Sequence, residues 1–314
     1  MTATSPLAAA SSAKPSPAKL RRRWLQFSLR SLTIFMVVCS LLLAALGWRL
    51  QRARKQAEAV ATIRAHGGSV VYDYGMQRDA NGMYEMTAAT PNAPPHMPTV
   101  LLNLLGQDFF CEVYAVYNAE PAPTTQRELE ANWDAIGEFA HLKILSTSAR
   151  GWRRRGTSLS PGIKNLAKTP EMQQLLIDQG KVDPLDLQVI GELRYLQELR
   201  LWGIEFDDAA LESLVDLQEL RVLEINASKV AMKGTVAISK LRNLEELQLQ
   251  LCSIGDDEVA LLGELSKLRR LTLAESQIGD RGLESIAKLQ HLDWLDLPGA
   301  TVGDHGMESL GQLP

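Results

Sequence analysis

The residues of this 314-residue chain that could do chemistry are few and scattered. Five histidines (His66, His96, His141, His291 and His305) stand at no ligand spacing from one another, and Cys39, Cys111 and Cys252 form neither a CxxC pair nor a Cys/His cluster. Metal sites and disulfide frameworks need such clustering, so no metal, cofactor or disulfide is expected, and the cysteines leave the redox compartment open. GxSxG, HExxH and GxGxxG are all absent, which removes the usual nucleophile, zinc-protease and dinucleotide signatures. The densest chemistry lies in SARGWRRRGTS, residues 148–158, where Arg150, Arg153, Arg154 and Arg155 surround Trp152. Such a group suits anionic lipid headgroups, a polyanion or an acidic partner; the competing reading is a solvated loop. Its GWRRRGT frame lacks the lysine of a phosphate loop and follows no buried strand, so nucleotide binding is rejected. The inventory points away from an enzyme and towards binding.

Charge narrows the partner. Residues 1–55 hold ten Lys and Arg and no Asp or Glu, so the formal charge of −4 divides into +10 there and −14 over residues 56–314. An acidic body repels phosphate backbones, which excludes nucleic acid and leaves basic or mixed-charge protein surfaces.

The elements that must position these residues begin with the basic start. Residues 1–30 read as a disordered basic tail, since MTATSPLAAASSAKPSPA has almost nothing to bury. Ser31 to Trp48 is uncharged and flanked by Arg30 and Arg49. At 1.5 Å per residue it spans roughly 27 Å, close to the hydrocarbon thickness of a bilayer. An uncleaved transmembrane anchor over 31–48 is the favoured reading; a cleaved signal peptide and a buried core helix are the alternatives. A slight excess of basic residues before the segment places the body of the chain on the non-cytoplasmic side, and Trp24 and Trp48 sit where indoles prefer the headgroups. Residues 49–110 read as a juxtamembrane helix and cap: a helix ended by Gly67-Gly68, a strand at 69–74, a Pro-rich loop at 90–99 and a helix over 100–110.

From residue 172 the sequence repeats. Met172, Leu196, Leu220, Leu244, Leu268 and Leu292 recur every 24 residues, with the other apolar positions at fixed offsets, as in Leu268, Leu271, Leu273, Ile278, Leu283, Ile286 and Leu289. The alternation in LxxLxL is a short strand with one buried face, and the last three apolar residues mark one face of a short helix. Asp208, Asp256, Asp280 and Asp304 stand where each helix begins and are expected to accept hydrogen bonds from unpaired backbone amides there. One such unit buries too little to hold itself together, so stacking is required. Residues 172–314 are six regular units, and 111–171 are degenerate ones carrying the basic insertion.

The pattern in LRRLTLAESQIGDRGLESIAKL resembles leucine-rich repeats, nearest to a 24-residue subtype with Gly-Asp before its helix, related to ribonuclease-inhibitor-like and cysteine-containing classes. The layout with one span also resembles uncharacterised bacterial single-pass membrane proteins of that family. The resemblance implies an α/β solenoid, with parallel strands on a concave face and short helices on the convex face. The ladder position, normally Asn or Cys, falls on Gly180, Ile204, Ser228, Cys252, Ser276 and Ala300, most of which cannot form an asparagine ladder. Side chains between the strand leucines are then expected outward on the concave face: Glu198, Arg200, Trp202, Glu224, Asn226, Glu246, Gln248, Gln250, Arg270, Thr272, Trp294 and Asp296. Exposed tryptophans and arginines among polar residues have the composition of interface anchors; the alternative is a solvated face whose tryptophans pack on the next repeat. Cys252 faces the core, and the sequon Asn226-Ala227-Ser228 reads as a chance match.

The chain stops at Leu313-Pro314, where a seventh unit would begin, and this leaves Leu295, Leu297, Val302, Met307, Leu310 and Leu313 on a flank expected to be uncovered. Either the repeat array is truncated or another subunit covers it. Two functions follow: a non-enzymatic, membrane-anchored protein that binds a protein ligand through its concave face, or a structural envelope component that forms homo-oligomers through its last repeat.

Overall fold

The computed structural model describes residues 29–73, 76–78, 84–86, 98–118, 126–147, 160–226, 230–252 and 254–313. The tail through residue 28, most of the Pro-rich stretch with His96, and the cluster Arg150, Trp152, Arg153, Arg154 and Arg155 lie outside the described residues. So do Ala227 and Ser228 of the sequon.

The chain divides into two units, Met1–Arg49 and Leu50–Pro314. In the first, the described residues belong to helix α1 (Leu29–Ala65), which holds an 18-residue window long and apolar enough to cross a membrane, none of it buried. Within Ser31–Trp48, the hydroxyls of Thr33 and Ser40 turn back on the helix itself: Thr33 Oγ1 donates to the Arg30 carbonyl at 2.9 Å and Ser40 Oγ to that of Met36 at 2.8 Å. Such back-bonding lets a hydroxyl sit on an apolar helix without an outside partner.

In the second unit the end of α1 buries Ala53, Gln56, Ala59, Val60 and Ile63, a stripe at helical spacing. The chain turns at Gly67, φ 79°, into β1 (Gly68–Tyr72). Strands β2 (Met76–Arg78) and β3 (Tyr84–Met86) pair as a small separate sheet. The continuous helix expected over 100–110 is instead two pieces, α2 (Thr99–Leu105) and a 3-10 turn at Gln107–Phe109. Gly106 separates them at φ 80°, a conformation that ends a helix and favours glycine.

The main sheet has nine strands in the order β1, β4 (Val113–Asn118), β5 (Ile144–Ser146), β6 (Gln174–Lys181), β7 (Glu198–Glu205), β8 (Val222–Asn226), β9 (Glu246–Gln250), β10 (Arg270–Ala274) and β11 (Trp294–Asp296). Every pairing from β4 onward is parallel; β1 alone is antiparallel, to β4. Each parallel strand is followed by helix: α3 (Gln126–Ile136), α4 (Ser160–Ile163) with a 3-10 turn at Lys164–Lys168, α5 (Pro184–Gly191), a 3-10 helix at Asp208–Leu214, α6 (Met232–Ser239), α7 (Asp256–Leu262), α8 (Asp280–Ile286) and α9 (Asp304–Leu310). The repeated leucines form one continuous core: Leu199, Leu201, Leu223, Leu247, Leu249, Leu271 and Leu273 from the strands are at most 1% exposed, as are Leu187, Leu211, Val259 and Leu283 from the helices. Thr235 stands at a helical leucine position, fully buried, with its hydroxyl bonded to the Ala231 carbonyl at 2.8 Å.

The aspartates act differently from expectation. Asp256 Oδ1 accepts from Gly279 N at 2.8 Å and Asp280 Oδ1 from Gly303 N at 2.7 Å, while Asp208 accepts from Ala231, Lys233 and Gly234 N at 2.8 to 3.0 Å. Each carboxylate therefore caps the helix of the following repeat, where unpaired amides meet the positive end of the dipole. This explains the glycine two residues after the aspartate position: a Cβ at Gly282 would sit 2.6 Å from Asp256 Oδ1, and Gly234 and Gly306 meet Asp208 and Asp280 in the same way. Where Met232 replaces the aspartate, the next helix caps itself, Gly255 N bonding Glu258 Oε2 at 3.0 Å.

Candidate functional site

The outward residues of the sheet fall into rows fixed by parallel register. One row runs Glu198, Val222, Glu246, Arg270, Trp294; the next Arg200, Glu224, Gln248, Thr272, Asp296; the third Trp202, Asn226, Gln250, Ala274. Neighbours within a row are one strand apart, about 4.8 Å. Rows built this way hold side chains at positions set by backbone pairing and by the leucines buried beneath them.

Side chains of the rows bond one another: Trp202 Nε1 donates to Glu224 Oε2 of the next strand at 3.0 Å and Asn226 Nδ2 to Gln250 Oε1 along its row at 3.0 Å, while Gln248 Nε2 donates to Glu246 Oε1 of its own strand at 2.8 Å. Arg200 Nε lies 2.6 Å from Glu198 Oε1 and 3.2 Å from Glu224 Oε1 without an aligned hydrogen bond to either, so the attraction is between charges. Arg270 reaches Glu246 at 3.4 Å from an exposed position. Trp202, Glu224, Asn226, Gln248 and Gln250 line a recess of about 220 Å³ floored by Ile225. Arg200 stands beside it, whereas Thr272, Trp294 and Asp296 lie on the open face beyond; Trp294 is 62% exposed. Trp202, expected to be exposed, is half-buried because its indole leans onto Glu224 of the next repeat, and Glu224 is itself only 7% exposed.

Burial raises the pKa of Glu224 against the pull of Arg200 and the Trp202 hydrogen bond, and nearby Glu246 adds to the rise. Glu198 is raised by burial too, with Arg200 opposing and Glu224 and Glu246 adding. Both are carboxylates short of positive charge and of water. Tyr117, outward on β4, belongs to the same electrostatic region, since burial and then Glu198 raise its pKa. Sequence reasoning missed Tyr117, because β4 precedes the regular period and no offset marks its register.

Elsewhere the reactive side chains are occupied. The Cys111 thiol is pushed up to about 11 by burial and then by Asp73, Asp108 and Glu112, which leaves almost no thiolate at neutral pH. His66 meets Asn132 at 2.6 Å, His141 meets Glu171 at 2.9 Å and His305 meets Glu284 at 2.9 Å, three separate places. Among the described residues no three His, Cys, Asp or Glu side chains converge to hold a metal ion. A broader depression of about 800 Å³ crosses Glu245, Lys267, Arg269, Gln290, His291 and Asp293, but its cations are paired, Lys267 with Asn243 and Arg269 with Asp293.

Against known proteins, a Leucine Rich repeat family model matches residues 240–257 and 264–287. No curated protein matches the chain. Among solved structures, it is similar to an internalin of Listeria monocytogenes at 19% identity, covering 57% of this chain and 55% of that one, with a TM-score of 0.45. It is also similar to internalin C2 of the same organism (20% identity, 60% and 72% covered, TM-score 0.39). A third is the Arabidopsis receptor kinase HAESA in complex with the peptide hormone IDA and the co-receptor SERK1 (18% identity, 54% and 31% covered, TM-score 0.39). The chain spans about half the length of the first internalin.

Proposed function

We propose that this chain is a membrane-anchored binding protein without catalytic activity, whose strand face receives a protein ligand. The observation that carries the reading is the recess walled by Trp202, Glu224, Asn226, Gln248 and Gln250 on a sheet whose backbone is fixed by the repeats. Side chains held on paired strands lose little freedom when a partner arrives, and a half-buried indole beside carboxamides combines apolar area with hydrogen bonds. Glu198, Glu224 and Glu246 outnumber the two arginines beside them, Arg200 and Arg270, so the preferred ligand brings basic groups to this face. Residues 31–48 cross the bilayer, 49–110 form the cap, 111–171 the irregular repeats and 172–314 the regular ones, on the non-cytoplasmic side.

The test is affinity capture from native membranes with the full chain, beside a variant carrying Trp202→Ala and Arg270→Glu. Arg200 is kept, since removing it would strand the buried Glu224 and the half-buried Glu198. A partner held by the wild type and lost by the variant supports the reading. Recovery of the bait alone with both proteins overturns it and favours self-association.

A further inference from the structure

The recess on the strand face has a lining of one electrical kind. Around Ile225 stand Trp202, Glu224, Asn226, Gln248 and Gln250, so no cationic side chain is in its wall, and each of the last four carries an oxygen. Asn226 and Gln248 each direct an amide N–H within the face, to Gln250 and to Glu246, and their own oxygens remain able to accept. Trp202 adds an aromatic surface, which attracts cations.

The charges around Glu224 do not balance. Its side chain belongs to a residue only 7% exposed. Arg200 on β7 lies 3.2 Å from it and 2.6 Å from Glu198, so one guanidinium serves two carboxylates. Glu246 on β9 adds a third, whose partner Arg270 on β10 stands in water. On the other side, Tyr117 of β4 is near Glu198, and Asp178 of β6 is the register partner of Trp202. A buried carboxylate so placed holds a proton more readily than one in water. Burial first, then Glu246, raise the pKa of Glu224 against Arg200 and the Trp202 hydrogen bond. A proton and an outside cation are thus alternative ways to neutralise the same group.

We propose that the recess takes up a basic side chain of the protein ligand, an ammonium or a guanidinium, in exchange for a proton. The inference rests on the strand face being the binding surface, and it names what that surface selects and how pH governs it. The proton leaves the Glu224 carboxyl for solvent, the carboxylate so formed holds the cation, and no other bond is made or broken. Trp202 covers the methylenes of the incoming side chain, and the oxygens of Asn226 and Gln248 accept its N–H groups. Acid reverses the exchange, so a ligand held near neutral pH is let go as the carboxyl regains its proton.

The test titrates the full chain in lipid nanodiscs with capped triarginine, trilysine and tricitrulline, the last a neutral analogue of the first. Calorimetry in two buffers of different ionisation enthalpy counts the protons released per peptide bound. Binding of a charged peptide with proton release, and an affinity that climbs by up to about tenfold per pH unit between about pH 5 and about pH 7, supports the inference. Tricitrulline should not bind, and the charged peptide that releases more protons identifies the head group that fits. Glu224→Gln, which keeps the acceptor for Trp202, should abolish the release and flatten the pH dependence. Binding without proton release, or release undiminished in Glu224→Gln, overturns the inference by placing the cation elsewhere on the acidic surface. Failure of both charged peptides to bind also overturns it. In either case, a partner captured from membranes and lost with Trp202→Ala and Arg270→Glu would still uphold the strand face, whereas recovery of the bait alone would remove both.

Discussion

Glu224 shows what the face costs the fold. A carboxylate whose folded pKa is raised above its unfolded value contributes its stability fully below the unfolded pKa and loses it as pH rises through the folded one. Glu224 and Glu198 are both raised, mainly by burial. The full chain is therefore expected to melt at a higher temperature near pH 5 than near pH 7 through these two groups. Glu224→Gln keeps an acceptor for Trp202 Nε1 without the charge; its Tm at pH 7 should exceed that of the wild type, with a weaker pH dependence. A lower Tm would mean that the Arg200 pairing outweighs burial. A second residue to test is Leu251, which holds φ 57° at the position where Gly203 and Gly299, two repeats away on either side, use glycine. L-residues pay about 1 to 2 kcal/mol for that conformation, and Leu251 is 50% exposed and so loses little burial when replaced. Leu251→Gly is expected to stabilise by about 0.5 to 1 kcal/mol in denaturant titration, after glycine's own entropic cost.

At the scale of the element, the aspartate and glycine of successive repeats form one device. Asp256→Ala should cost about 1 to 2 kcal/mol by orphaning the Gly279 amide. Gly282→Ala should cost about 1 to 3 kcal/mol, because its Cβ would press on Asp256 and on Ile278. In the double variant the losses should fall short of their sum, since without the carboxylate part of the clash disappears; strict additivity would show that the two do not touch. This device marks where the sequence stopped being legible. The 24-residue spacing of Leu196, Leu220, Leu244, Leu268 and Leu292 was enough to place strands, helices and outward rows, because burial follows period directly. The partner of Asp256 lies 23 residues on, in the next coil, and local patterns show only neighbours three or four apart. Before residue 172 the insertion breaks the register, so β4 with Tyr117 carried no signal, and β1 was legible as a strand at 69–74 but not as the antiparallel partner of β4. The indole of Trp202 turned onto Glu224 because a carboxylate stands on the next strand, two residues before its register partner Asn226, a side-chain choice that periodicity does not encode.

At the scale of the molecule, each repeat gains its burial from its neighbours, so damage at the centre should propagate. Leu247→Ala, in the middle of the array and fully buried, is expected to cost about 2 to 5 kcal/mol and to speed hydrogen exchange in both β8 and β10. Exchange confined to β9 would show that the repeats are less coupled than the shared core implies. The strand face is the surface that the proposed function assigns to a protein ligand. The most direct measurement is photo-crosslinking by the full chain in native membranes, with the reactive residue placed at Gln248 or Gln250 on the strand face, or at Lys233 or Lys240 on the helix face. Adducts to a second protein from the strand-face positions, absent from the helix-face ones, are the predicted result. Adducts that form equally from both faces, or only from the helix face, would contradict it.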